Sequence, residues 1–260
     1  MSDQRRLNER VWSAATAAMQ REYGRAPVRD VERQILADYA GDLSGRVLEI
    51  GVGSGRLTQL LAATAGELHG IDISPVMVEH CRATFPQATF SVADLSDLSA
   101  FADASLDAIV AGYNVLDVLD HEERAAALAE WARPLRPGGL LVVSSHNLHH
   151  GAGPADPGRL LARRPGTLLR NVLHRRARLA NRARLAPLER REPAWAILND
   201  EAHDFSLLHY YVTPGEMAAQ LTGHGFTPLE CRDLEGRAVT GAETAAGSSE
   251  LHYVARRATA

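Results

Sequence analysis

Three glycines at alternate positions, Gly51, Gly53 and Gly55, follow the short apolar run Arg46-Val-Leu-Glu-Ile50 and precede a helix-forming stretch. A turn stripped of side chains at that junction lets backbone N–H groups and a helix N-terminus approach a bound cofactor closely. Twenty-one residues beyond Gly51, Asp72 ends a second apolar run. A carboxylate in that place accepts hydrogen bonds from both hydroxyls of a ribose. The pair is therefore nucleotide-binding chemistry. It is not the dinucleotide fingerprint G-x-G-x-x-G, which requires glycine where this chain has Arg56. Proton-transfer chemistry is suggested at His146, in Ser144-Ser-His146-Asn147. An imidazole titrates near neutrality and can serve as a base, a structural histidine being the alternative.

These residues need a scaffold, and the pattern around them supplies one. Arg46–Ile50, Leu68–Ile73, Thr89–Val92, Leu106–Ala111 and Leu140–Ser144 are short apolar runs that read as strands. Helical spacing intervenes over Leu57–Ala65, after the Ser74-Pro75 cap, and over His121–Trp131. Strands alternating with helices imply an α/β fold with a mostly parallel, doubly wound sheet. Two helices are expected in the first forty residues, from Leu7, Val11, Ala14, Ala15 and Ala18 and then from Val28, Val31, Ile35 and Leu36. The alternation stops from about Asn147 to Asp204. It resumes with a capped helix at Thr213-Pro-Gly-Glu216 and two last strands, Phe226–Cys231 and Leu251–Ala255. The expected organisation is an N-terminal helical lid over 1–40, a cofactor-binding core over 41–147, a cap insertion over 148–212, and a C-terminal helix and strands over 213–260.

Composition narrows the chemistry. All 28 basic residues are arginine, so lysine Schiff bases and lysine general bases are excluded. Cys81 and Cys231 are too few for a disulfide framework and lack metal-ligand spacing; with no signal peptide visible, a cytoplasmic protein with reduced thiols is expected. No apolar stretch approaches the ~20 residues of a membrane span. His149, His150, Asp117, Asp120 and Glu122 read as a loop and a helix N-terminus rather than metal ligands, so no metal is expected. Between Gly158 and Arg191 eleven arginines face one acid, Glu189. That segment suits a cap over an anionic substrate, a nucleic-acid surface or a solvated helix. The nucleic-acid reading lacks interleaved aromatics.

The pattern Glu49-Ile-Gly51-Val-Gly53-Ser-Gly55, with its acid two residues before the first glycine, resembles motif I of the class I S-adenosylmethionine-dependent methyltransferases, closest to those acting on small molecules. Asp72-Ile73, Met77, Ala93-Asp94-Leu95, Leu135-Arg-Pro-Gly-Gly139 and Glu250-Leu-His-Tyr-Val254 match the same family in order. The resemblance covers about residues 45–147 and 205–257. It implies a seven-stranded Rossmann-like sheet with a helical cap inserted after the fifth strand, and S-adenosyl-L-methionine as cofactor. It further implies that Asp72 binds ribose, that Met77 packs on adenine, that Asp94 and Leu95 bracket the adenine edge, and that Glu49 approaches the methionine part. Tyr23, beside Arg25, falls where relatives place a lid against that same part, and Tyr113, with Asn114, falls where the methyl channel is lined. Arg56 reads as an exposed helix residue, with a carboxylate partner at the loop as the alternative. His146, Tyr210 and Tyr211 are the catalytic candidates, the tyrosines belonging to His209-Tyr-Tyr211, where relatives cover the substrate with an aromatic; His203-Asp204 is a candidate hydrogen-bonded pair nearby. The function implied is methyl transfer to an O or N nucleophile of a small molecule, anionic molecules included. A peptide carboxylate or side chain as substrate, a cofactor-binding module without turnover and, remotely, a nicotinamide dehydrogenase are the alternatives. Oligomeric state is left open.

Overall fold

The computed structural model describes residues 2–14, 20, 24, 26–151, 165–241 and 243–259, with backbone alone at 165–174 and 202. Its centre is a sheet of strands β1 (Arg46–Ile50), β2 (Glu67–Asp72), β3 (Thr89–Val92), β4 (Leu106–Ala111) and β5 (Leu135–Asn147), all parallel, in the order β3-β2-β1-β4-β5. β10 (Glu250–Arg257) runs antiparallel beside β5, with Tyr253 opposite Val143, and β9 (Phe226–Arg232) closes that edge. These seven strands form the expected doubly wound sheet. β5 begins earlier than its apolar run, at Leu135 opposite Leu106, and the register shifts before Leu140 meets Ala108.

Strand alternation assigns each side chain to a face. Leu48 and Ile50 enter the cluster with Ile109, Leu141, Trp131 and Tyr253, whereas Val47 joins Val110, Leu140, Val142, Ile35 and Leu61 on the other side. Glu49 has the parity of Val47, which fixes where its carboxylate goes. The first face carries α5 (His121–Ala132) and α7 (Pro214–Gly223); the second carries α2 (Asp30–Asp38) and α3 (Thr58–Thr64). α4 (Pro75–Thr84) covers β2 and β3 through Val78, Cys81 and Phe90. Asp120 and Thr213 cap α5 and α7 by accepting from the backbone N–H of Glu123 (2.9 Å) and Glu216 (3.3 Å).

The insertion after β5 is not purely helical, which corrects the sequence expectation. It contributes α6 (Pro165–Leu185) and three strands: β6 (Arg190–Arg191), β7 (Trp195–Leu198) and β8 (His209–Val212). β6, β7 and β8 pair antiparallel. β8 then joins β5 in parallel at His146–Tyr211 and Asn147–Val212, beyond the point where β4 stops at Ala111. A free strand edge there would leave backbone donors and acceptors unpaired, and the aromatic and branched residues of β7 and β8 supply the missing partner.

α1 (Asp3–Ser13) lies over the carboxyl end of this sheet and is fastened by buried amides. Gln4 donates to the carbonyls of Leu119 (3.1 Å) and Leu208 (3.3 Å); Asn8 donates to Val118 and Leu208 (both 2.8 Å) and accepts from the Leu208 N–H. Among the described residues no helix is long and apolar enough to cross a membrane. Replacing Asn8 by alanine takes the side-chain partner from the Val118 carbonyl and the Leu208 N–H, while the Leu208 carbonyl keeps Gln4. Asn8→Ala should therefore lower the unfolding free energy by about 2 kcal/mol in urea titrations; an unmoved midpoint would mean α1 is held by other contacts.

Candidate active site

The carboxyl ends of β1 to β5 open onto a cavity of about 410 Å³ under α1. At its floor the turn after β1 is shaped by positive backbone angles. Gly51 (φ +74°) would drive a Cβ to 2.5 Å from Val115, so no side chain is tolerated. Gly53 (φ +52°) would aim a Cβ into open space, and the cavity reaches the bare backbone there. Gly55 faces the Phe85 ring and does not line the cavity.

One end of the cavity carries two carboxylates. Asp72 accepts from the N–H of Gly53 (2.9 Å) and of Ser74 (2.8 Å), which ties the acid to the glycine turn. Burial raises its pKa against those two N–H groups. Asp94 accepts from the Ser96 N–H (2.8 Å) and hydroxyl (2.6 Å), and from Arg5 of α1 at 2.5 Å. Burial alone would raise Asp94, but Ser96 and Arg5 outweigh it and hold it below the usual range. Ile73, Met77 and Leu95 supply apolar walls between the two acids. Tyr113 (φ +55°) lines the cavity farther along, its ring under the guanidinium of Arg56 at 4.7 Å.

Three further acids are buried nearby. Glu49 lies on the α3 side, as its strand parity requires, and lines a smaller cavity of about 60 Å³ behind the turn. The Thr58 hydroxyl donates to it at 2.6 Å. Burial pushes its carboxyl up to about 8, against Thr58 and Arg56. Arg56 is not the exposed residue expected: its guanidinium grips both oxygens of Glu32, and its side chain is 10% exposed. Glu250 meets Arg29 at 2.8 Å and accepts from Asn114 at 2.9 Å, with His252 Nε2 3.3 Å away. Burial would raise Glu250, but His252, Arg29 and Asn114 bring it down to about 2.

The other end of the cavity holds imidazoles. His146 places Nδ1 2.7 Å from Asp117 Oδ2, and its backbone N–H donates to the same oxygen at 2.7 Å. Asp117 is wholly buried; its Oδ1 accepts from Arg124 (2.5 Å) and Ser145 (2.6 Å). Burial of the His146 ring lowers its pKa, yet Asp117, with Asp200 and Glu250 farther off, raises it more, so it ends above the ordinary imidazole value. Across the cavity, His209 puts Nδ1 2.9 Å from Asp200 Oδ2, which also accepts from the Tyr211 hydroxyl at 2.7 Å. Trp12 and His203 meet edge to face at 4.8 Å and complete the wall.

The catalytic tyrosines named from the sequence do not line this cavity. Tyr210 points to the opposite face of β8, where its hydroxyl meets His121 Nδ1 (2.6 Å) and Gln220 (3.0 Å) and its ring lies under Arg124. Tyr211 faces the site but is spent on Asp200 and on stacking against His146 at 4.8 Å. Asp204 meets Arg178 at 3.4 Å. Tyr23 and Arg25 lie outside the described residues. Sequence reading missed Arg5, Asn8 and Trp12, although their spacing puts them on one face of α1. It also set Asp117 aside as a charge favoured by a helix dipole, and overlooked Asp200. Nothing in the chain near Asp200 marks it; only the β7–β8 pairing brings it to His209. Among the described residues, the arginines lining the cavity are Arg5 and Arg29, and none comes from α6. Likewise no group of three or more His, Cys, Asp or Glu is arranged to hold a metal ion.

Comparison with known proteins gives the same picture of the core. Residues 47–139 match the family model described as methyltransferase domain. A probable S-adenosylmethionine-dependent methyltransferase of Mycolicibacterium smegmatis is 36% identical over 101 residues, covering 39% of this chain and 38% of that protein. A ubiquinone biosynthesis O-methyltransferase of Xanthomonas oryzae is 32% identical over 112 residues, covering 41% and 45% respectively. This chain thus spans less than half the length of either relative. In three dimensions it resembles the 1,6-didemethyltoxoflavin-N1-methyltransferase of Burkholderia thailandensis, solved with bound 1,6-didemethyltoxoflavin and S-adenosylhomocysteine, with a TM-score of 0.57, 16% identity and coverage of 89% of this chain and 80% of that one. That likeness is one of fold.

Glu49 makes stability depend on pH. Its folded pKa of about 8 exceeds the ordinary 4.5, so the folded chain keeps a proton that the unfolded chain releases. The associated stability is complete below pH ~4.5 and is lost as pH rises through about 8. Glu49→Gln should be free of this loss, so denaturant melts from pH 5 to 8.5 should show wild type falling progressively relative to the variant. Parallel curves would place an ionised Glu49 in the folded state.

Proposed function

We propose that this chain, whose residues 47–139 match the methyltransferase-domain family model, is a class I S-adenosylmethionine-dependent methyltransferase and methylates an oxygen or nitrogen nucleophile of a small molecule held between β5, β8 and α1. The observation that carries the reading is the His146–Asp117 pair, 2.7 Å apart, in the same cavity as the Gly51–Gly53 turn, Asp72 and Asp94. The names of the Xanthomonas and Burkholderia relatives, an O- and an N-methyltransferase, support a small acceptor.

The residues suit the cofactor. Asp72 uses one backbone N–H per oxygen, which leaves carboxylate lone pairs for ribose hydroxyls. The open space above Gly53 admits a group against the bare turn, and Met77, Ile73 and Leu95 offer an apolar slot for a purine with Asp94 at its rim. When bound, S-adenosyl-L-methionine would supply a methyl group on a sulfonium, from which an acceptor in line would displace the neutral thioether sulfur.

What the chain adds is alignment and a proton acceptor. With Nδ1–H given to Asp117, neutral His146 presents Nε2 as the base for an acceptor hydroxyl or ammonium. Arg124 and Ser145 occupy the second oxygen of Asp117, so the carboxylate is shared between orienting the ring and neutralising a buried guanidinium. α1 and the apolar side chains Val115, Val118 and Leu119 keep water from the reacting groups.

Asp72→Ala should raise the calorimetric Kd for S-adenosylhomocysteine by about 10- to 100-fold, the loss of one or two charge-assisted bonds; unchanged affinity would remove the ribose role. His146→Ala should cut kcat by about 100-fold or more with that Kd retained, and should flatten a kcat profile that rises with pH above the ordinary imidazole range. Full turnover in the variant would make His146 structural. S-adenosylhomocysteine binding without turnover on any acceptor would make the chain a cofactor-binding module.

A further inference from the structure

Of the histidines lining the cavity, His146 and His209 lie against each other, and the mechanism above uses one of these two. His146 and His209 have ring centroids 5.3 Å apart at an interplanar angle of 33°. Each is anchored in the same way: Nδ1 on a carboxylate, Asp117 for the first and Asp200 for the second. The second anchor is itself built, since the Tyr211 hydroxyl also donates to Asp200, which lies two residues past β7 where Leu198 pairs with His209 of β8. The Asp200 side chain is 10% exposed and that of His209 8%. Burying an acid with an imidazole is an expensive way to join two strands that apolar residues would join as well. Fixing Nδ1–H on a carboxylate leaves one unoccupied acceptor on each ring, Nε2, and both rings line the cavity.

We propose that His209 is a positioning residue for the acceptor, and that the substrate carries two hydrogen-bond donors on neighbouring atoms, one methylated opposite His146 and the other held by His209. Two rings 5.3 Å apart that line one cavity are close enough for hydrogen bonds of ~2.8 Å to neighbouring positions of one small molecule. Vicinal diols, ortho-dihydroxy aromatics and amino alcohols have that arrangement; isolated alcohols, thiols and carboxylates do not. The proposal rests on the methyltransferase reading and specifies the acceptor that site accepts.

The test uses the whole chain saturated with S-adenosylhomocysteine, whose binding is measured first. Failure to bind it would overturn the methyltransferase reading itself. Matched probes are then titrated by NMR on histidine-labelled protein: catechol against phenol, 2-aminophenol against aniline, and cis-1,2-cyclohexanediol against cyclohexanol. The expected result is at least about tenfold tighter binding of the two-donor member of a pair, with the Nε2 resonances of both His146 and His209 moving. His209→Phe and His209→Gln should erase the preference while retaining the S-adenosylhomocysteine Kd. Equal binding within every pair, absence of binding by all probes, movement of His146 alone, or a preference that survives both variants overturns the proposal. The wild-type resonances decide the matter even where a variant does not fold.

Discussion

The site depends on a carboxylate with no access to water. Asp117 and Arg124 are both fully buried, and neither is tolerable without the other. Their contact fixes the turn after β4, since Asp117 sits there, and fixes α5, which carries Arg124. Through Ser145 and the His146 N–H it fixes the end of β5 as well. One buried charge pair therefore sets the relative position of three elements and, with them, the ring of the proposed base. It extends to α7 and β8, because the same guanidinium donates to Gln220 and lies over the ring of Tyr210.

How far the sequence discloses this arrangement follows from the range of each interaction. The turn from Glu49 to Gly55, the acid at 72 and the pair Asp94-Leu95 are local patterns, and each lies at the edge of one cavity or its small neighbour. β1 to β4, α5 and α7 are legible because alternation and caps are local too. The acceptor side is not. Asp200 meets His209 across a hairpin, and Asp117 meets His146 across 29 residues, so no spacing rule reveals either pair. Tyr210 and Tyr211 were legible as aromatics but not as to face, which the β8 register alone decides. Arg56 looked like a solvated helix residue because its partner, Glu32, belongs to a separate helix.

The insertion shows the same limit. Its arginines dominate the sequence, and charge suggests a binding surface. In the structure Arg178 is turned to Glu201 and Asp204, and Arg182 to Glu189 and the Asn199 carbonyl. Three successive residues, His203, Asp204 and Phe205, hold left-handed backbone there, a strained run for side chains other than glycine. Arg178 and Arg182 both lie over the Phe205 ring, so these arginines brace the segment that brings Asp200 and His209 together.

Because β8 is laced into the parallel sheet rather than laid over it as a loop, the His209 wall of the cavity shares a hydrogen-bonded ladder with the strand that leads into the glycine turn. Neighbouring positions on β8 look to opposite sides, and of the two turned toward the site His209 lines the cavity while Tyr211 is held by Asp200. Fitting that wall to another guest would then mean changing one letter of a short ribbon, with no need to rebuild the surrounding chain.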